Sequence, residues 1–151
     1  TLAQPARPRY KPSLASLTKA ASIGNALMTI AFNPAIPIFR IFSVEKAREF
    51  YLGFLGFTLD WEHRFGADMP VYMQVSRGPL LLHLSEHHGD ATPGSTAYVR
   101  MRGVREFHAE ISARGYRYLR PGVESRDWTD AEMTVIDPFG NRIELMQRVS
   151  P

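Results

Sequence analysis

The chain has 151 residues, enough for one domain with a hydrophobic core, and its lack of cysteine excludes a disulfide framework, a thiolate zinc site and a cysteine nucleophile. The net charge of +3 is local: residues 1–34 carry Arg7, Arg9, Lys11 and Lys19 and no acid, which leaves 14 of the 18 basic residues against all 15 acids in residues 35–151, too even a balance for a nucleic-acid-binding stripe. No apolar run approaches the roughly 20 residues of a membrane-spanning helix, so a soluble, cytoplasmic protein with neither nucleic-acid nor membrane partners is expected.

Residues 1–12, TLAQPARPRYKP, hold three prolines and no hydrophobic period, the pattern of an arm. From Ser13 to about Ile30 the residues Leu14, Leu17, Ala21 and Met28 approximate a helical face with Ser13 as N-cap. A basic, acid-free leader has the composition of a targeting segment, but there is no apolar signal core; a short docking helix is the plainer reading.

From residue 35 to 151 the pattern is that of a single domain. AIPIFRIF reads as a strand that Pro37 places at a sheet edge or in an exchange between chains. Ser43 can cap a helix whose Ala47, Phe50, Tyr51 and Phe54 share a face, with Gly56 ending it. FTLDWEHR, VYMQVSR and LLLHLSEH follow as three short strands. The order then repeats: STAYVRMR as a strand, Val104, Phe107 and Ile111 on a helix ending at Gly115, and YRYLRP, AEMTVID and RIELMQR as strands. Both helix-ending glycines precede an aromatic residue, Phe57 and Tyr116. This is an α+β chain with a duplicated βαβββ unit, in modules of about residues 35–90 and 95–148 joined by HHGDATPG.

AREFYLGFLGFTLDWEHRF, STAYVRMRGVREFHAEISARGY and DPFGNRIELM resemble the glyoxalase, bleomycin-resistance and extradiol-dioxygenase superfamily, the vicinal oxygen chelate proteins. AIPIF and TAYVRMRGVREFHAEI look closest to the bleomycin-resistance branch. The resemblance implies two βαβββ modules that each form a curved half-barrel sheet, and a homodimer with an exchanged first strand. In metal-using members ligands come from the first and last strands of each module, which here gives Ile36, His83, Thr96 and Glu144. Isoleucine has no donor atom and a neutral threonine hydroxyl is a poor one, whereas a catalytic metal usually takes three protein ligands. His83 and Glu144 are therefore the weak metal candidates, and His63 or His87 supplies a third only under a different register. Glu86, His87, His88 and Asp90 read as a solvated loop, since adjacent strand residues point to different sides.

The lining expected for a ligand groove is aromatic: Trp61, Phe65, Tyr72, Tyr98 and Trp128, with Asp60, Glu62 and Asp127 beside them and with His83 and Glu144 as polar contacts. Core packing is the competing explanation for each ring taken alone. Glu144 reads as a strand carboxylate facing a polar cavity beside Arg40 or Arg100, and His83 as a donor to Glu144 or to ligand. The expected function is sequestration of a small aromatic or cationic ligand, an antibiotic, without catalysis and without a cofactor. The alternative is a lyase or dioxygenase in which a divalent metal ion polarises vicinal oxygens of its substrate.

Overall fold

The structure, a computed structural model, describes residues 30–148. The arm and the helix expected from Ser13 fall on residues outside these. Of these, residues 35–148 form one compact unit.

Two four-stranded sheets carry the fold. In the first half β1 (Ile38–Arg40) is followed by α1 (Val44–Arg48), a π-helical segment (Glu49–Phe54), β2 (Thr58–Arg64), β3 (Val71–Arg77) and β4 (Leu80–Ser85). In the second, β5 (Thr96–Arg100), α2 (Val104–Ala113), β6 (Glu124–Arg126), β7 (Thr129–Ile136) and β8 (Arg142–Arg148) repeat the order. The sheets run β1-β4-β3-β2 and β5-β8-β7-β6, with the first strand of each half parallel to the last and the rest antiparallel. The βαβββ duplication is thus the architecture.

Local chemistry sets the elements. Ser43 is extended and its Oγ accepts the Lys46 amide at 3.3 Å, which starts α1 as an N-cap does. The helix then widens, and Leu55 N–H donates to the Phe50 carbonyl five residues back. That widening buries Phe50, Tyr51 and Phe54 together in the core. Gly56, at φ +72°, then reverses the chain into β2.

Two elements differ from the sequence reading. YRYLRP is not a strand. Tyr116 instead stacks on Phe54 at 4.7 Å between ring centroids, and the Pro121 carbonyl accepts from His108 at 2.9 Å, so the second strand of that half waits until Glu124. The first strand is shorter than AIPIFRIF, because Pro37 lacks an N–H for a ladder and contributes only its carbonyl, to His83 N–H at 2.9 Å.

The DPFGN turn has more than a reversal to do. Asp137 is buried, and its Oδ1 accepts the Phe139 and Asn141 amides at 2.9 and 2.8 Å. Its Oδ2 accepts the Tyr51 hydroxyl at 2.8 Å and Asn141 Nδ2 at 2.7 Å. The same Asn141 amide donates to the Arg40 carbonyl at 2.8 Å. Tyr51 and Arg40 belong to the first module, so this turn fastens one module to the other. Burial holds the Asp137 carboxyl above its ordinary pKa, and burial with the carboxyl beside it holds the Tyr51 phenol well above its own.

Candidate functional site

Each sheet turns one face to the core and leaves the other partly exposed. On the first sheet Phe39, Met73, Val75, Leu82 and Leu84 point inward. Strict alternation then puts Ile38, Tyr72, Gln74, Ser76, Leu81 and His83 on the open face.

Trp61 reaches that face through an irregularity. Thr58 and Leu59 oppose Ser76 and Val75, but Trp61 opposes Gln74, so the register shifts by one residue at Asp60. Without the bulge Trp61 would follow Leu59 towards the core side. With it, Asp60 and Trp61 both belong to the open face. The bulge is pinned there: Asp60 Oδ2 accepts Gln74 Nε2 at 2.8 Å and Oδ1 accepts the Ser76 hydroxyl at 2.7 Å.

From Asp60 the hydrogen bonds form a directed chain. An ionised carboxylate only accepts, so the Gln74 amide nitrogen must face it and the Gln74 oxygen must face His83. That oxygen lies 3.0 Å from His83 Nε2, which therefore carries the proton and donates. His83 Nδ1 is then the acceptor for the Tyr72 hydroxyl at 2.8 Å. Desolvation lowers the His83 pKa below its ordinary value, in keeping with a neutral ring.

Rings close the site around this chain. Trp61 lies nearly parallel to Tyr72 at 6.0 Å with an interplanar angle of 10°, and edge-on to His83 at 5.4 Å. Phe65 meets His63 at 4.5 Å and His87 at 5.9 Å, extending the aromatic surface beyond the end of β2. Trp61 keeps 36% of its surface exposed and Phe65 46%. The arrangement offers flat apolar area with fixed polar atoms among it, which suits a planar ligand.

The other expected residues lie on the second sheet. Tyr98 on β5 is register partner of Glu144 on β8, and Thr134 on β7 is its other neighbour. Tyr98 is exposed and Glu144 half-buried. Among the described residues Glu144 has no ion pair, with Arg40, Arg100 or any other. Trp128 stands at the turn between β6 and β7, where the Arg126 guanidinium lies 5.7 Å from its ring centroid. Arg126 also bridges Glu124 and Glu132, at 3.0 and 2.5 Å. So Trp61, Phe65, Tyr72 and His83 come together on the first sheet, Tyr98 and Glu144 on the second, and Trp128 at its edge.

The sequence reading did not give Asp60 and Gln74 their part in the hydrogen-bond chain, nor His63 and His87 their place among the rings. Gln74 had a readable signal: Arg77-Gly78-Pro79-Leu80 is a two-residue hairpin turn, and counting back from it sets Gln74 opposite His83. The segment after β4 is folded on itself. Ser85 Oγ donates to Asp90 at 2.8 Å and accepts the His87 amide at 3.0 Å, and Glu86 accepts the Val71 amide at 2.9 Å.

A metal fits these residues poorly. Ile36 and Thr96 add no good donor, and both ring nitrogens of His83 are engaged within the protein. Among the described residues no group of three histidine, aspartate or glutamate side chains is placed to hold an ion.

A family model described as glyoxalase superfamily protein matches residues 20–151. No curated protein matches the sequence significantly. Among solved structures, TnmS3, an antibiotic binding protein from Streptomyces sp. CB03234, aligns with a TM-score of 0.62 at 23% identity, over 80% of this chain and 100% of its own. The bleomycin-binding protein of bleomycin-producing Streptomyces verticillus, solved with copper(II)-bleomycin, gives 0.58 at 23% identity, with 80% and 100% covered. A bleomycin resistance determinant encoded on the transposon Tn5 gives 0.59 at 20%, with 79% and 100% covered. At such identities the likeness to these structures is one of fold.

Proposed function

Since this chain belongs to the glyoxalase superfamily, we propose that it is a binding protein of the bleomycin-resistance kind, which holds a small aromatic or cationic ligand in a groove and releases it chemically unchanged. One observation carries the reading: the open face of the first sheet presents Trp61 over Tyr72 while both nitrogens of His83 are committed to neighbours. A histidine so held frames a ligand, since its accepting nitrogen is already hydrogen-bonded to the Tyr72 hydroxyl and its other nitrogen donates to Gln74. The surface it borders is aromatic and partly exposed, which is what stacking requires.

The groove is completed in a homodimer. Each chain leaves one open face on each sheet, and a twofold partner sets Trp61, Phe65 and Tyr72 of one copy against Tyr98 and Glu144 of the other, giving two grooves. An exchanged first strand places the Ile38–His83 ladder seen within the chain between copies instead. The Glu144 carboxylate then supplies the acidic contact for a cationic group. The protein acts in the cytoplasm, where a cysteine-free chain is at home.

The test is a titration of metal-stripped protein with copper-loaded and metal-free bleomycin, followed by tryptophan fluorescence in Trp61→Phe and Trp128→Phe backgrounds. The expected result is saturable quenching at one ligand per chain that disappears in the Trp61→Phe background, with intact ligand recovered by mass spectrometry. No quenching at high ligand removes bleomycin as the ligand. Recovery of altered bleomycin removes sequestration.

A further inference from the structure

A second cavity lies away from the aromatic face. It has a volume of about 330 Å³, at the small end of the range for ligand pockets. Its roof is the inner side of the second sheet, with Val99, Val135, Ile143 and Leu145. Its floor and walls come from Phe107 on α2, Leu55 and Phe57 after the π-helical segment, and Leu80 at the β3–β4 turn.

Its polar groups are all of one sign. Arg77, Arg100 and Arg102 line it and no acidic residue does. Arg77 is fixed in place: it stacks over the Phe107 ring at 4.5 Å, pairs with Glu110 at 2.6 Å and donates to the Leu55 carbonyl. Arg100 and Arg102 are exposed and make no ion pair with a described residue. An apolar chamber bordered by uncompensated guanidinium groups is complementary to one chemical class, a molecule with an apolar body and a single anionic head.

We infer that this cavity is a binding site for an apolar carboxylic acid, with its hydrocarbon body between Phe57, Phe107 and Leu145 and its carboxylate on Arg100 and Arg102. Arginine suits the role because its planar fork meets a carboxylate with two parallel hydrogen bonds. None of the lining residues belongs to the Trp61 face, so the site takes a ligand of opposite character from the one proposed there and stands whether or not that proposal does.

The test uses the full chain and decanoate below its micellar concentration, with decan-1-ol and 2-naphthoate as comparators, followed by calorimetry. Saturable one-to-one binding of decanoate is expected, at least tenfold tighter than decan-1-ol. The double variant Arg100→Glu, Arg102→Glu should weaken it at least tenfold without altering the circular dichroism, since both side chains are exposed. Tighter binding of 2-naphthoate than of decanoate assigns the site to aromatic acids and keeps the carboxylate requirement. Equal binding of acid and alcohol, or no effect of the double variant, overturns the inference. So does the absence of decanoate binding; if the double variant then also changes its oligomeric state, the cavity is covered by a second copy of the chain. Copper-bleomycin titration of the parent chain reads the aromatic face separately, so the two proposals fail independently; the double variant is not used for that reading, because Arg100 shares the β5 face of Tyr98.

Discussion

Replacing Trp61 by alanine is the sharpest test of the aromatic face. The ring is 36% exposed, and one of its faces already lies over Tyr72. Taking about 250 Å² for the residue, the free part is roughly 90 Å²; at about 25 cal/mol per Å² a planar ligand that covers it gains ~2 kcal/mol. A loss of that size weakens binding about 30-fold. Tryptophan fluorescence is compromised in this variant, so the dissociation constant is read by calorimetry with copper-bleomycin. Trp61→Phe keeps a stacking ring and should lose much less. Trp128→Ala serves as the comparator, since that ring stands at the β6–β7 turn beside Arg126 rather than on the first sheet. If Trp61→Ala binds within threefold of the parent while Trp128→Ala fails, the ligand is not on the first sheet and the reasoning from the bulge at Asp60 is wrong.

Three further outcomes follow from the hydrogen bonds and turns. His83 has a folded pKa lowered by desolvation from an unfolded value of about 6.5, so its contribution to stability is present above that pH and is lost as pH falls through the lower folded value; the melting-temperature advantage of the parent over His83→Gln should therefore shrink from pH 8 to pH 5, and a constant difference would sink the assignment. Tyr51→Phe removes the hydroxyl that donates to buried Asp137 and should cost roughly 1–3 kcal/mol, about 4–12 °C in melting temperature, with no effect on ligand affinity for the aromatic face. Gly56→Ala should destabilise more than Gly115→Ala: both glycines have positive φ, which costs an alanine about 1–2 kcal/mol, but only at Gly56 does a new Cβ run into the Arg114 and Arg77 guanidinium groups. Equal losses in thermal melts would show that those side chains simply move aside.

What could be read in advance depended on how far apart the interacting residues lie in the chain. The repeated order of elements was legible because each has its own local signal: Ser43 before α1, Gly56 and Gly115 after the helices, Gly78-Pro79 between β3 and β4. YRYLRP misled because its alternation is that of a strand, while the ring of Tyr116 is taken up by Phe54, 62 positions earlier. Tyr72 and His83 were each legible as candidates for the groove, but not as partners: the sequence suggested Glu144 for His83, and the structure gives it Tyr72 and Gln74. The part played by Asp60 was not legible, because a bulge is a property of two strands pairing and leaves no mark in either alone. DPFGN announced a turn, yet its fastening of Tyr51 and Arg40 rests on partners 86 and 101 positions away.

A count of donor atoms alone misjudges His83, because both its nitrogens already have partners. Metal-bound histidines characteristically use one nitrogen for the ion and give the other to an acceptor that fixes the tautomer. Here the acceptor is present, Gln74, itself oriented by Asp60, but the remaining nitrogen is taken by the Tyr72 hydroxyl. The ring is thus held from both sides, and its accepting nitrogen fixes the phenol in place. Fixing Tyr72 also fixes the surface on which Trp61 lies, so less side-chain freedom is left to lose when a ligand stacks on that pair; at about 0.5–1.5 kcal/mol per immobilised side chain, that preorganisation is comparable to the stacking energy itself. A face built this way offers affinity through rigidity. Gln74→Leu, which cuts the chain between Asp60 and His83, should therefore weaken ligand binding about three- to tenfold, although Gln74 is itself 9% exposed. Calorimetry on that variant settles the matter: undiminished affinity would mean that the hydrogen-bond chain holds the sheet together and does nothing for the ligand.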